Sequence, residues 1–263
     1  MKIKRPHLVL NECTPKFPSG PFFRRVFGEA CSVDSFTVSP EAVGLPTRRP
    51  RLLTVIHDKT ALSMNVAPVE VFFNYALKSI TIDGAVYFVA PLEFQNNYKR
   101  YLLKLRGCHA NSADLSEIPW KSCLSFCGKK RLRGYEEAYE TNGDGDTAFC
   151  NIACNPGYAR ATHFPKTVMT LLKNSMIYDL KQQRMVTPLE ALAINGIPLF
   201  YDSLDKDLKM IPDKVFLEMS PGCAKAMAGN MMNIPTIGTL IAIMLHSFDF
   251  ASPPPPDIAA VDV

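Results

Sequence analysis

The sequence predicts an α/β fold. Strand and helix signals alternate over residues 1–59, an irregular β-containing region fills 60–183, and sharply punctuated helices return over 184–250. With 263 residues, 47% of them hydrophobic, the chain can bury a substantial core. A formal charge of +4 suits an anionic partner but falls short of the basic excess of a nucleic-acid-binding tail. Eight cysteines, and no apolar leader in "MKIKRPHLVL", argue against a secreted disulfide framework. Reduced thiols in an intracellular setting are therefore expected.

The first element is "PHLVLNE", Pro6 to Glu12, whose near-continuous apolar run predicts a strand covered on both faces in a parallel sheet. It ends on the carboxylate of Glu12, and open α/β sheets place ligands at the carboxyl ends of their strands. In "SGPFFRRVFGEA", Ser19 as cap and Pro21 in the first turn predict a short helix. "SVDSFTVSP" alternates apolar and polar residues, and "RLLTVIHD", Arg51 to Asp58, follows a proline-rich loop; both read as strands.

Beyond Thr60 the texture changes. "KSITIDGAVYFVA" sets Asp83 and Gly84 between two β-rich runs, which predicts a hairpin turn. "CGKKRLRGYEEAYETNGDGDTAFC" mixes a basic cluster, an acidic helix-like piece and a Gly/Asp loop, which predicts a loop-rich region. In "TPLEALAINGIP", Thr187 caps a helix, Pro188 takes its first position, Glu190 closes a capping box and Asn195-Gly196 stops it. "IPTIGTLIAIML", Ile234 to Leu245, is about half the roughly 20 residues a membrane span needs, so it reads as a core helix packed on the first domain's sheet, with no membrane partner. "ASPPPPDIAAVDV" reads as a disordered proline-rich tail over 251–263.

Four of these segments resemble, in order, motifs of the DNA cytosine-5 methyltransferases. "NECTPKFP" is similar to their ENV segment, with Glu12 on the glutamate and Cys13 and Thr14 standing where the family has Asn and Val. "GLPTRRPRLLTVIHD" is similar to their Q-x-R-x-R segment, with Thr47 at the Gln and Arg49 and Arg51 on the arginines. "RMVTPLEALAINGIP" resembles their R-x-L-T-x-x-E-x-x-x-x-x-G-F-P segment, and "AGNMMNIPTIGTLIAIML" their closing G-N helix. The resemblance implies part of a Rossmann-like, S-adenosylmethionine-dependent methyltransferase domain at 1–59, a target-recognition region at 60–183 and closing helices at 184–250 that return to the catalytic domain. It implies duplex DNA as partner and S-adenosylmethionine as methyl donor. In this family a flipped cytosine is attacked at C6 by a cysteine thiolate. A carboxyl at the ring's N3 and an arginine at O2 neutralise the developing charge. The resemblance gives Glu12 the first role and Arg51 the second, with Arg49 orienting Glu12 and Asn230 beside the cofactor.

The family's glycine-rich cofactor loop and Pro-Cys nucleophile loop precede the ENV segment. Neither occurs in the eleven residues before Glu12, and no cysteine follows a proline anywhere in the sequence. The chain alone is therefore expected not to methylate DNA. It reads as a carboxyl-terminal part, a non-catalytic DNA-binding or regulatory module, or half of a split enzyme completed by a second chain. A Cys13 thiolate beside the Glu12 carboxylate would be a weak nucleophile, so Cys13 reads as a packing residue.

Other patterns are open. Cys123, Cys127, Cys150 and Cys154 form C-x3-C twice, which four-thiolate zinc could use, but four buried thiols fit as well and no metal is expected. Lys129, Lys130, Arg131 and Arg133 can contact phosphates, or form a solvated face neutralised by "YEEAYE". Asn230 can contact the cofactor or cap a helix. Trp120 reads as packing or as a base-stacking platform.

Overall fold

A computed structural model describes residues 6–72, 82–108, 115–142, 149–158, 166–199, 215–216 and 218–250. In chain order its elements are β1 (Leu8–Cys13), α1 (Ser19–Phe27), β2 (Cys31–Val38), β3 (Arg51–Asp58), β4 (Leu62–Met64), α2 (Pro68–Val71), α3 (Leu92–Lys104), α4 (Phe126–Asn142), β5 (Phe149–Asn151), β6 (Ile177–Asp179), β7 (Arg184–Met185), α5 (Pro188–Ile194), α6 (Pro221–Asn230), α7 (Ile234–Ser247) and β8 (Phe248–Phe250). The chain divides into two compact units. The first comprises 1–43, 50–78 and 236–263, the second 44–49 and 79–235.

The first unit carries a sheet of order β1-β3-β2 in which both pairings are antiparallel. This corrects the expected parallel sheet. The crossover through α1 does set β2 parallel to β1, but one strand away, and β3 fills the gap from the opposite direction. Burial on both faces belongs to this central strand, where Leu53–His57 are all buried. Leu53 and Val55 join Phe36, Val38, Phe72, Leu240 and Met244 in one apolar cluster, so α7 packs on this sheet. Strands β4 and β8 pair antiparallel, with Leu62 opposite Phe250.

Ser19 does not cap α1. Pro18 holds the N-cap position without a side-chain cap. The buried Ser19 hydroxyl lies 2.7 Å from Thr54 Oγ1 and 3.3 Å from Ser35 Oγ, and Ser35 Oγ lies 3.0 Å from Thr54 Oγ1. A buried hydroxyl has to find a partner, and the two strand hydroxyls close a ring with it.

In the second unit, β5, β6 and β7 form a small antiparallel sheet. The region expected to be loop-rich holds two regular helices, α3 of 13 residues and α4 of 17. On α4, Leu132 and Tyr135 are buried three residues apart, the spacing of a helical stripe. Gly134 is kept in this helix by contact: a Cβ there would come within 2.8 Å of Pro156. Asp83-Gly84 does not turn a hairpin. The Asp83 carboxylate accepts the Ala85 N–H at 2.8 Å and caps a 3-10 turn at Gly84–Tyr87, and Gly84 lacks the positive φ that a type I′ turn demands. Trp120 is buried in the core beside Lys99, whose ammonium sits 5.2 Å from the ring centroid.

Helix α5 has both ends as the sequence specifies, with a reciprocal Thr187–Glu190 capping box and Pro188 at its start. At its stop, Gly196 has φ 93°, and a Cβ there would meet the Pro235 ring at 2.2 Å. Gly229 and Asn230 lie in the last turn of α6, and the chain breaks at Met231–Asn233 before α7 begins. The buried Asn233 amide donates to the Ile194 carbonyl, and Asn195 donates to Ala228. The run Pro221–Ser247 has the length and composition of a membrane-crossing helix, yet this break interrupts it, and Leu240 and Met244 are buried against the sheet cluster. Four of the five residues of "NGDGD" (143–146) and the proline-rich tail lie outside the described residues.

Candidate functional site

Strands β1 and β3 bring Glu12 and Arg51 together. Glu12 stands opposite Leu53 in the register, so Arg51, two residues earlier on β3, is its diagonal cross-strand neighbour on the same face. Arg51 Nε lies 2.7 Å from Glu12 Oε1, and each side chain is about one-fifth exposed. Arg51 Nη1 also donates to the Pro50 carbonyl at 2.8 Å. The pair closes the open end of the face that carries Leu8, Leu10, Leu53 and Val55 inward. A carboxylate and a guanidinium are thus presented side by side at the carboxyl end of β1.

Arg49 takes another position. It belongs to the second unit, where the strap 44–49 runs beside Val168 through a parallel bridge at Thr47. Its buried guanidinium donates to the carbonyls of Leu171, Gly229 and Met231, the last at 2.9 Å. It therefore caps the carboxyl end of α6, where the helix dipole favours a cation. The arginine ion-paired to Glu12 is Arg51. The reason lies in where the strand starts: β3 begins at Arg51, so the spacing of two does not put Arg49 on the same sheet face.

Asn230 is exposed and is the last residue of α6, not a cap at the start of α7. The carbonyls on either side of it, of Gly229 and Met231, are those Arg49 holds. Gly229 is required there, because a Cβ would fall 2.2 Å from the Lys173 backbone nitrogen. One exposed amide at a helix end is too little to hold S-adenosylmethionine, so Asn230 does not by itself make a cofactor site.

Cys13, beside Glu12, points its Sγ at the Leu52 carbonyl, 3.6 Å away. Burial, and then the Glu12 carboxylate, raise its pKa, which keeps it a thiol and a poor nucleophile. Of the paired cysteines, Cys123 and Cys150 are buried while Cys127 and Cys154 are exposed. Burial pushes both inner thiols up in pKa. Among the described residues no group of three or more metal-ligating side chains forms.

The basic cluster lies on α4. Lys130 and Arg133 reach solvent and, with Arg131, Glu137 and Asn155, line a shallow depression of about 490 Å3. Arg131 is partly committed to structure, donating to the Ala153 carbonyl at 2.7 Å. Glu190, read from the sequence as part of a helix cap, does more than cap. It is fully buried and accepts from Arg184, from the Thr187 N–H and hydroxyl, and from the Ala90 N–H. Arg184 in turn lies 4.7 Å from the Phe88 ring.

No family model matches the chain, and no curated protein matches it. Among solved structures, it is similar in fold to the S. pombe Dnmt2 methyltransferase, with a TM-score of 0.43 and 14% identity over 93% of this chain and 66% of that one. It is also similar to a mutant of Spodoptera frugiperda DNMT2, with a TM-score of 0.37 and 13% identity over 91% of this chain and 66% of that one. The chain spans just under two thirds of the length of either protein.

Proposed function

We infer that the chain is the carboxyl-terminal part of a cytosine-5 methyltransferase-like protein acting on nucleic acid. The observation that carries this reading is the Glu12–Arg51 pair at the end of β1, formed by the residues on which two of the four ordered motifs converge. A protonated carboxyl can donate to the N3 of a cytosine ring, and a guanidinium beside it can bind O2. Together they offset the charge that develops as a nucleophile adds at C6. Arg51 here both orients Glu12 and faces the ring, while Arg49 holds α6 in place. The nucleophilic cysteine and the S-adenosylmethionine loop come from another segment or a second chain. Lys129, Lys130 and Arg133 supply phosphate contacts, which add affinity without reading sequence.

One observation favours a second reading, a non-catalytic nucleic-acid-binding module. Glu12 and Arg51 satisfy each other's charge without any substrate. Two measurements separate the readings. Fluorescence anisotropy with a labelled DNA duplex and a structured RNA, over a range of salt, should show binding that the double variant Lys130→Ala/Arg133→Ala weakens. Its log–log salt slope should fall by roughly 2, about one for each phosphate no longer neutralised. Supplementing the chain with a polypeptide bearing the glycine-rich and Pro-Cys loops should yield methyl transfer from labelled S-adenosylmethionine that Glu12→Gln abolishes. Binding without any such transfer selects the module, and no binding at low salt sinks both.

A further inference from the structure

A cleft of about 410 Å3 opens in the second unit, between one face of α3 and the first turns of α5 and α6. That volume lies in the range of small-molecule sites, about 300–1,000 Å3. None of the residues discussed for cytosine chemistry lines it. Its walls are mainly aromatic and aliphatic. Phe94 and Tyr101 project from α3 two helical turns apart, and Tyr98 stacks behind Tyr101 with centroids 6.2 Å apart and planes 19° apart. Leu189 and Ala224 complete the apolar lining opposite them. An aromatic wall of this kind takes a planar ring by stacking, whatever the ring's hydrogen-bonding pattern.

The rim has the opposite character. Arg100 and Lys104 lie one turn apart on α3, and among the described residues Glu218 is the single carboxylate bordering the cleft. Arg100 Nη1 donates to Asn97 Oδ1 at 2.8 Å, one of the contacts that place the guanidinium at the cleft. Ser220 and Pro221, also at the rim, open the ten-residue helix α6, whose first turn carries no acidic residue, so the positive end of its dipole adds to the two cations. Gly222 permits the approach of that turn to Tyr101, since a Cβ there would lie 3.1 Å from the Tyr101 hydroxyl oxygen. Aromatic wall, paired cations and helix amino terminus meet in one cleft of suitable volume.

We propose that this cleft binds a nucleoside 5′-phosphate, with the base stacked on the Tyr101 and Phe94 wall and the phosphate at Arg100 and Lys104. The ligand is either a free mononucleotide or one unpaired nucleotide of a strand; the chemistry recognised is the same. The proposal does not depend on the role of Glu12.

The test is calorimetric titration of the full chain with cytidine 5′-monophosphate, cytidine, inorganic phosphate and a short single-stranded oligodeoxycytidine. The monophosphate should bind at least tenfold more tightly than cytidine or phosphate. Arg100→Gln/Lys104→Gln should weaken it at least tenfold, and Tyr101→Leu should weaken the monophosphate while leaving phosphate alone unchanged. Both positions of the double variant border solvent, and circular dichroism melting confirms that the fold is kept. If the oligonucleotide binds tenfold tighter than the monophosphate with the same sensitivity to the double variant, the source is a strand; equal affinities assign a free nucleotide. No monophosphate binding at millimolar concentration, binding that the double variant leaves intact, or phosphate binding as tightly as the nucleotide would each overturn the proposal. Duplex binding through α4, measured on the same samples, reports separately on the nucleic-acid reading.

Discussion

Two acid–arginine pairs in this chain have the same chemistry and opposite surroundings. Glu12 and Arg51 meet through a single ion pair, each about one-fifth exposed, at the end of a strand. Glu190 is about 1% exposed in its side chain and Arg184 about 11%, and Glu190 also accepts from Thr187 and Ala90. The partly exposed pair can exchange its partner for a ligand at less cost than the buried one, because water reaches it. The buried pair cannot, because removing either member leaves an uncompensated charge in the core. What distinguishes a reactive-looking pair from a structural one is therefore the number and burial of its partners, not the residues themselves.

The largest test of this contrast is Glu190→Ala. It strips the partner from a largely buried arginine and the acceptor from two N–H donors, and should cost about 3–5 kcal/mol in chemical denaturation. A loss below about 1 kcal/mol would mean that the Arg184 charge finds water, and the contrast would fail. Next in size is Arg49→Met, which keeps the volume but orphans the carbonyls of Leu171 and Met231. It should cost about 2 kcal/mol, and hydrogen exchange should localise the loss to the end of α6. Exchange rising equally at β1 would instead tie Arg49 to Glu12.

A smaller effect separates the interior of the first sheet from its rim. His57 is 5% exposed on β3, with its ring 4.8 Å from that of Phe248 and its Nδ1 buried without a partner among the described residues. Burial lowers its pKa below the ordinary value near 6.5, with Lys59 acting in the same direction and Asp34 and Asp58 opposing. The unfolded chain then binds a proton more readily than the folded one, so this contribution is intact above about pH 6.5 and is lost as pH falls towards the folded pKa. Melting temperature should drop as pH is lowered from about 7.5 to about 5.5, and His57→Phe should flatten that drop. An unchanged slope in the variant would assign the acid sensitivity elsewhere.

The sequence made some of this legible and hid the rest for identifiable reasons. Helix α5 could be read at both ends because caps act within a few residues: Thr187, Pro188, Glu190 and Gly196 each satisfy a local backbone need. The strands could be read from their apolar runs, but not their pairing, since the antiparallel return of β3 between β1 and β2 is decided by contacts across the chain. Helix α4 was masked by Gly128, Gly134 and a dense run of charge, although the Leu132–Tyr135 spacing was present. Pro50 before the start of β3 was the signal that Arg49 would not share the face of Arg51, because it marks where strand alternation can begin.

The smallest stability effect belongs to Glu12→Gln. A partly exposed single ion pair at a strand end should contribute about 1 kcal/mol, so the variant should unfold within about 1 kcal/mol of the parent chain. Its consequence for function is expected to be out of proportion to that. Glutamine keeps a hydrogen-bonding side chain beside Arg51 but cannot hold a proton for a ring nitrogen, so methyl transfer by the completed protein should be lost while nucleic-acid binding is retained. Equal losses in stability and function would place Glu12 with Glu190 as a structural carboxylate. A large functional loss at nearly unchanged stability is what a strand-end acid, held but not buried, is arranged to give.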